Sequence, residues 1–116
     1  MRVSLPWPPS SLSGHANGNG RWAKIAATKR LRAEAALLTR AAGRPSLPAT
    51  GDVPVTIRFE PPSRRGDRCN FPARAKPLID GVADALGIND ARFLPRFEYA
   101  DPVRGGRVTI EIGDVE

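Results

Sequence analysis

The residues best suited to chemistry lie close together in the second half of this 116-residue chain. An arginine-rich segment precedes a helical stripe and a final acidic turn: Arg64-Arg65-Gly66-Asp67-Arg68-Cys69-Asn70, then Lys76, Asp80 and Asp84, then Asn89-Asp90. Hard divalent cations bind carboxylates, and a neighbouring Lys or Arg can neutralise charge that develops on a phosphate. The candidate set for metal-assisted hydrolysis of a phosphodiester is Asp67, Asp80, Asp90 and Lys76.

The same spacing also has a purely structural interpretation. Lys76, Asp80 and Asp84 recur every four residues, which places them on one face of a helix. Surface ion pairs at this spacing stabilise a fold by only roughly a few tenths of a kcal/mol. Spacing alone therefore leaves two interpretations open, a catalytic cluster and a solvated ladder of charges.

Other catalytic arrangements fit the sequence less well. The glycine-rich stretch at 14–20 lacks the Gly-Lys-Ser/Thr sequence of a phosphate-binding loop. One cysteine, Cys69, and one histidine, His15, cannot form a Cys/His zinc site or a disulfide. No signature around these two residues supports a Cys-His nucleophile pair either.

The net charge of +6 is unevenly distributed along the chain. Residues 1–44 carry eight basic side chains against one acidic side chain, whereas residues 45–116 carry ten basic and eleven acidic ones. Fifteen of the 18 basic residues are Arg, whose planar guanidinium suits phosphates and stacked bases, although a GC-rich genome would produce the same excess. Charge therefore makes nucleic acid a candidate partner.

Apolar periodicity predicts a single α+β domain over residues 1–116. The predicted elements are a strand near 3–5, a helix over 21–42, a strand over 53–60, a helix over 73–86 that becomes regular near Lys76, and strands over 93–100 and 107–112. Pro77 is expected in the first turn of the second helix, where its missing N–H costs nothing. Pro54 indicates that its strand begins there or lies at an edge. The order β-α-β-α-β-β predicts one mixed sheet with two helices packed on it.

The sequence also predicts the general class of protein. No apolar run approaches the roughly 20 residues that cross a bilayer, and the first residues lack the apolar stretch of a secretory signal. We therefore expect a cytoplasmic protein without a membrane partner. Trp7 is expected to pack against the end of the sheet, whereas Trp22 is left open between packing and stacking on exposed bases.

Several motifs, in this order along the chain, resemble the RusA-like crossover-junction endodeoxyribonucleases, a family common in prophages. The motifs are Leu5-Pro6-Trp7-Pro8-Pro9-Ser10, Asp67-x-x-Asn70, Lys76-Pro77-x-x-Asp80-Gly81, Asp84-Ala85-Leu86-Gly87, Asn89-Asp90 and Arg104-Gly105-Gly106-Arg107. Together they span nearly the whole chain. The resemblance implies a homodimeric enzyme, dependent on Mg²⁺ or alternatively Mn²⁺, that needs no small-molecule cofactor. Its implied activity is to resolve four-way (Holliday) DNA junctions by paired symmetric nicks during recombination and repair.

The resemblance also assigns roles to residues by position. Asp67 and Asp90 match metal-binding carboxylates of the family, and Lys76 matches its catalytic Lys. Asp80 is a further candidate metal ligand. The residues expected to bind DNA are Arg64, Arg65, Arg68, Asn70, Arg74, Lys24, Lys29 and Arg32.

The chain departs from the family pattern at three places. Cys69 stands where a second loop Asp is expected, and a soft thiolate suits Mg²⁺ poorly. Asn89 replaces the first residue of an Asp-Asp pair. Lys76 follows Asn70 by about one helical turn more than in the family, which makes Arg74 the reserve candidate for the catalytic Lys. Two alternatives therefore stay open: a junction-binding protein on the same fold that cleaves weakly or not at all, and a basic RNA-binding module.

Overall fold

The chain builds a four-stranded mixed sheet with two helices packed on one of its faces, in a computed structural model that describes residues 1–9 and 19–113. The elements are β1 (Arg2–Pro6), α1 (Asn19–Ala42), β2 (Val53–Glu60), α2 (Phe71–Leu86), β3 (Phe93–Tyr99) and β4 (Arg107–Glu111). Short 3-10 turns at Arg68–Asn70 and Asp90–Arg92 lead into α2 and β3. The predicted α+β class, element order and mixed sheet are confirmed, whereas His15 lies outside the described residues.

The strand order across the sheet is β1-β4-β2-β3. β4 pairs antiparallel with both β1 and β2, whereas β2 and β3 are parallel. A parallel pair needs a crossover connection, and α2 with its flanking turns supplies it. The crossover brings both ends of α2 close to the sheet, with β3 at the sheet's edge.

The hydrophobic core lies between the two helices and one face of the sheet. In β2 the alternating residues Val53, Val55, Ile57 and Phe59 are all buried, as their period of two predicts. The helices contribute buried residues that include Ala27, Leu31, Ala35, Leu78, Val82 and Leu86. Ile25, which the helical periodicity places on the apolar face, is 37% exposed. The first buried residue described in α1 is Ala27, so the turns before it, which include Ile25, do not pack in the core.

Pro54 lies near the start of β2, as the sequence predicts, although β2 is an interior strand. β4 pairs only with Thr56–Glu60 of β2. Pro54 precedes this paired stretch, so its missing N–H leaves no gap in the antiparallel ladder.

α2 begins at Phe71, two residues before the predicted start and five before its expected regular part. The first-turn proline is Pro72, and Pro77 lies inside the helix. The buried ring of Phe71 explains the earlier start, because it anchors the first turn in the core. Pro77 is buried as well, so its packing offsets the helical hydrogen bond that its ring removes.

α1 and α2 are in close contact at Gly81. A side-chain methyl group at this position would lie 2.3 Å from the backbone oxygen of Arg32 and 2.7 Å from Cβ of Ala35. The glycine of the Lys-x-x-x-Asp-Gly motif is therefore required for packing, since only glycine fits against the backbone of α1 at this position.

A buried charge lies on the sheet face opposite the helices. Glu60 accepts a hydrogen bond from Thr109 Oγ1 at 3.1 Å and lies 2.8 Å from Arg107 Nη2. The hydrogen bond from Arg107 outweighs burial and holds the pKa of Glu60 below its ordinary value. This contribution to stability is present above the unfolded-state pKa and is lost as the pH falls through the lowered folded-state pKa.

We expect Gly81→Ala to lower the free energy of unfolding by about 1–3 kcal/mol, because the added methyl group must push α1 away from α2. Urea denaturation measures the change. Gly113→Ala is the matched control, since a methyl group there meets nothing within 4 Å, and it should change stability by less than about 0.5 kcal/mol. Equal stabilities of the two variants would contradict the close helix crossing.

Candidate functional site

Five charged side chains from α1, α2 and the turn before β3 meet beside α2. We call them the Lys76 cluster; its members are Arg32, Lys76, Asp80, Asp84 and Asp90. Three of them belong to the set of candidates for phosphodiester hydrolysis, namely Lys76, Asp80 and Asp90. These residues are distant in sequence, so the fold and not local spacing brings them together.

The geometry of α2 places the first part of the cluster. Lys76, Asp80 and Asp84 lie on one face of the helix because they are four residues apart. Asp80 is the least exposed of the three, with 21% of its side chain accessible. The helical stripe predicted from the sequence is therefore confirmed.

The way α2 ends brings Asp90 to this stripe. Gly87 follows the helix in the left-handed conformation (φ 70°), and its N–H bonds to carbonyl oxygens of the last turn. The chain then reverses direction, and Asn89 Oδ1 accepts a hydrogen bond from the N–H of Ala91 at 2.8 Å. The resulting 3-10 turn directs the Asp90 carboxylate toward Lys76.

Lys76 joins two carboxylates from different elements. Its Nζ donates to Asp80 Oδ1 at 2.5 Å and also to Asp90 Oδ2. Partial burial alone would lower the pKa of Lys76, but hydrogen bonds to and charges of both carboxylates outweigh it and raise the pKa. The hydrogen bond from Lys76 and its charge, in that order, hold the pKa of Asp90 below its usual value.

Arg32 of α1 holds the third carboxylate. Its Nε and Nη2 donate to the two oxygens of Asp84 at 2.6 and 2.9 Å, a bidentate pair, and its Nη1 lies 4.0 Å from Asp80 Oδ2. The hydrogen bond from Arg32 is the main cause of the lowered pKa of Asp84. Arg32 is thus turned toward α2, and this pairing does not favour the DNA-binding role predicted for it.

The cluster borders an open cleft of about 240 Å³. Charged or amide side chains form most of its lining, namely Arg32, Asp80, Asp84, Asn89 and Asp90, and Ala83 and Ile88 supply the apolar part. Such a lining suits a charged ligand and not an apolar one.

The donor chemistry of the cleft fits a hard divalent cation. Asp80 Oδ1 and Asp90 Oδ2 contact the same ammonium, so two hard oxygens converge on one point. No group of three or more His, Cys, Asp or Glu residues positioned to hold a metal occurs within residues 1–9 and 19–113. Mg²⁺ commonly uses one or two carboxylates with water and substrate phosphate, so the Asp80–Asp90 pair is sufficient in type.

Asp67, the remaining candidate metal ligand, is engaged within its own turn. Its Oδ1 accepts a hydrogen bond from the N–H of Cys69 at 2.9 Å and caps the 3-10 turn Arg68–Asn70. Among the described residues, Asp67 is not part of the cleft lining. Cys69 is exposed, and Asn70 precedes α2 without a side-chain cap bond. The structure therefore brings together two of the three predicted metal ligands and the predicted catalytic Lys.

Three of the arginines predicted to bind DNA lie exposed on the loop between β2 and α2. These are Arg64, Arg65 and Arg68. Only Arg64 has an ion-pair partner within the described ranges, Asp101 at 3.6 Å, and both side chains are largely solvent-accessible. Their guanidinium groups are therefore accessible to an external phosphate.

Arg74 differs from the loop arginines because it is half-buried. Its Nη2 donates to the backbone oxygen of Pro8 at 2.6 Å, and its guanidinium carbon lies 5.5 Å from the centroid of the Trp7 ring. Burial lowers its pKa, and its Nε has no hydrogen-bond partner among the described residues. These contacts hold the segment after β1 against α2, so they do not favour the predicted role of Arg74 in DNA binding.

The two tryptophans have different environments. Trp7 packs edge-on against Phe59 of β2, with ring centroids 6.3 Å apart, and against Phe71 of α2 at 4.9 Å, so the predicted packing is confirmed. Trp22 is 70% exposed near the start of α1 and does not pack in the core. On the same helix, Lys29 is exposed and Lys24 is half-buried. Trp22 and Lys29 therefore both lie on the solvent-exposed side of α1.

Sequence reasoning did not assign Arg32 and Asp84 to the site as a pair. Asp84 continues the four-residue spacing of Lys76 and Asp80, but it was not among the residues predicted for the site. Arg32 is 52 residues away from Asp84, and nothing in the sequence distinguishes it from the other basic residues of α1.

The pairing within the cluster predicts how each carboxylate titrates. In Lys76→Met, the pKa of Asp90 should rise toward its ordinary value, whereas that of Asp84 should stay low because Arg32 holds it. Arg32→Met should have the reverse effect. Carboxyl ¹³C NMR titration in metal-free buffer measures both groups.

The sign of the pH dependence follows from these shifts. Folding lowers the pKa of Asp90, so its pairing stabilises the protein above the unfolded-state pKa and is lost as the pH falls through the folded-state pKa. The Lys76 pKa is raised, so its contribution is lost as the pH rises through that value. A rise in both carboxylate pKa values in either variant would contradict the division into two pairs.

Neither α1 nor α2 is long and apolar enough to cross a membrane.

Comparison with known proteins identifies a relative by sequence similarity. No protein-family model matches the chain. An uncharacterized protein of Xylella fastidiosa (strain Temecula1) is 42% identical to it over 115 residues, which cover 95% of this chain and 74% of the Xylella protein. The chain belongs to the same family as this Xylella protein.

Proposed function

We propose that the protein is a Mg²⁺-dependent endonuclease that resolves four-way DNA junctions by paired symmetric nicks in recombination and repair. The observation that carries this proposal is that Lys76 contacts both Asp80 and Asp90, two carboxylates that line an open cleft. A surface ladder of charges would explain Lys76 and Asp80, which share a helix face. It would not explain why a separate turn directs Asp90 to the same ammonium.

In the proposed mechanism, Asp80 and Asp90 would hold Mg²⁺, and Asp67 is a further candidate ligand. When bound, the ion would supply Lewis-acid polarisation of the phosphate and a lower pKa for the attacking water. Lys76 stays protonated near neutral pH because its pKa is raised. Its role is therefore to neutralise charge that develops on the phosphate in the transition state, and not to accept a proton.

The proposal assigns the DNA backbone to the exposed basic surfaces. Arg64, Arg65 and Arg68 would contact phosphates beside the start of α2, and Lys24 and Lys29 would contact them along α1. Asn70, at the N-terminal end of α2, is a candidate for one more contact. Contacts of this kind position a nucleic acid without reading its sequence, and the binding weakens as salt is added.

The proposed assembly is a homodimer, and the proposed location is the cytoplasm, where DNA would be accessible. A two-fold symmetric protein matches the two-fold character of a four-way junction. Each subunit would then supply one cleft and one nick.

A second candidate function is junction binding with weak or absent cleavage. The observation that favours it is a hydrogen bond at the Arg68–Asn70 turn, where the Asp67 carboxylate accepts from the N–H of Cys69. A thiol at position 69 does not replace the hard oxygen that the resemblance leads us to expect. This function would use the same arginine loop and the same fold.

Nicking of a synthetic four-way junction with Mg²⁺ tests the proposed mechanism. Lys76→Met and Asp90→Asn should each lower the single-turnover nicking rate by about 100-fold or more, because each removes charge that the transition state requires. Junction binding, measured by gel shift without metal, should be retained. Asp52→Asn is the matched control, an exposed carboxylate without an ion-pair partner in the described ranges, and it should nick at the wild-type rate. Full activity of both cluster variants would refute the assignment.

Cys69→Asp separates the two candidate functions. If the site is active but impaired, adding a hard oxygen beside Asp67 should raise the nicking rate several-fold in Mg²⁺. Wild type and variant should be compared in Mg²⁺ and in Mn²⁺ on the same junction. Junction binding without nicking in all four combinations would establish the binding function instead.

A further inference from the structure

β3 presents an open edge of the sheet. Its neighbour on one side is β2, and no other strand of the described residues pairs with its other side. Three of its large apolar side chains are exposed: Leu94 at 56%, Phe97 at 37% and Tyr99 at 46%. An edge with this much apolar surface is a template for pairing with another strand.

The direction of the backbone in β3 shows which groups the edge offers. The N–H of Ala100 donates to the backbone oxygen of Phe59 in β2 at 2.9 Å, so even-numbered residues face β2. Odd-numbered residues of the strand therefore turn their N–H and C=O groups outward. Pro95 is one of these, and its missing N–H costs no bond to β2. The outward donors are thus the N–H groups of Phe97 and Tyr99, whereas the N–H of Phe93 already donates to the backbone oxygen of Asp90.

The charged side chains of β3 are Arg96 and Glu98, and Arg58 of β2 lies beside Glu98 in the strand register. Arg96 and Glu98 point to the sheet face opposite the helices and form no ion pair with any described residue. They have opposite signs and are two residues apart. Both features suit a strand that pairs with a second copy of itself.

We infer that β3 pairs antiparallel with β3 of a second copy, with Phe97 opposite Phe97 of the partner subunit. Arg96 then lies opposite Glu98 of the partner subunit, and the symmetry repeats this pair. The two Phe97 residues exchange two hydrogen bonds, and each Tyr99 N–H donates to the carbonyl of Pro95 of the partner subunit. The charged pairs occupy the closer, non-hydrogen-bonded positions, with Cβ atoms about 4.5–5.5 Å apart.

Other symmetric registers would lose charge pairs or hydrogen bonds that the register centred on Phe97 forms. Centring the pairing on Arg96 or on Glu98 would place like charges opposite each other, which destabilises a sheet. Centring it on Pro95 would lose the two central hydrogen bonds, because proline has no N–H. Centring it on Tyr99 would leave both charges opposite uncharged residues. The register centred on Phe97 satisfies the charges and the central hydrogen bonds together.

The resulting dimer would have a continuous eight-stranded sheet with all four helices on one face. The half-exposed rings of Phe97 and Tyr99 would be covered by the partner subunit on the helix side. Although this gives a surface to the homodimer of the proposed function, the inference rests on β3 and not on cleavage. It would hold equally for a protein that binds DNA without cutting it.

Sedimentation equilibrium of the full chain without DNA tests the register. The wild type should have a mass near twice the 12.5 kDa of one chain. Arg96→Glu and Glu98→Arg should each raise the dimer Kd at least about tenfold, because like charges then face each other. An equimolar mixture of these two variants should dimerise again, and so should the double variant Arg96→Glu/Glu98→Arg, since opposite charges are restored.

Arg30→Glu is the matched control, an identical charge change on the exposed surface of α1, and it should remain dimeric. Lys76→Met should also remain dimeric while it loses nicking, so that the failure of this inference and the failure of the nuclease proposal are seen separately. A wild type that is monomeric at all concentrations would overturn the inference. So would a dimer that neither single reversal weakens, or a mixture that fails to reassociate when circular dichroism shows both variants folded.

Discussion

The close contact of α1 with α2 at Gly81 determines where the charges of the Lys76 cluster lie. The atom nearest to the missing side chain is the backbone oxygen of Arg32 itself, so this residue sits at the helix crossing. From there its guanidinium reaches both oxygens of Asp84, less than one turn further along α2. Helices held apart by even one methyl group would disturb this bidentate geometry. A packing constraint without charge therefore sets the electrostatics of the candidate site.

The two cations of the cluster hold their carboxylates in different ways. Arg32 binds Asp84 through a rigid planar fork, whereas Lys76 binds Asp80 and Asp90 through a compact charge on a flexible stem. Both cations offset the repulsion among three neighbouring carboxylates, and they hold the pKa of Asp84 and that of Asp90 below the ordinary value. Only the ammonium can move aside without breaking a bidentate pair. In the proposed metal site the ligands would therefore be Asp80 and Asp90, while Asp84 stays paired with Arg32.

Most of the fold could be predicted because its signals are local. The alternation in β2, the stop of α1 before Gly43 and the order of elements all follow from periodicity and from turn residues. The predicted start of α2 was wrong because either Pro72 or Pro77 could occupy the first turn. Which proline does so depends on whether the Phe71 ring is buried, and the sequence does not show that. In the site, helical spacing predicts Lys76 beside Asp80. The partner of Arg32 depends on how two helices cross, which no local pattern contains.

The candidate site and the edge strand are connected through the same turn. Asp90 begins the 3-10 turn that ends where β3 starts at Phe93, so pairing through β3 would also fix the distance between two clefts. In the register centred on Phe97, the two Phe93 residues are eight strand positions apart, roughly 26 Å along the strands. Both clefts would lie on the helix side, related by one two-fold axis. Under the proposed function a single cleft would cut one strand at a time, whereas two clefts at a fixed symmetric spacing would cut two equivalent strands of a branched DNA. Paired nicking would then follow from the assembly of β3 edges and would need no additional residue in either cleft.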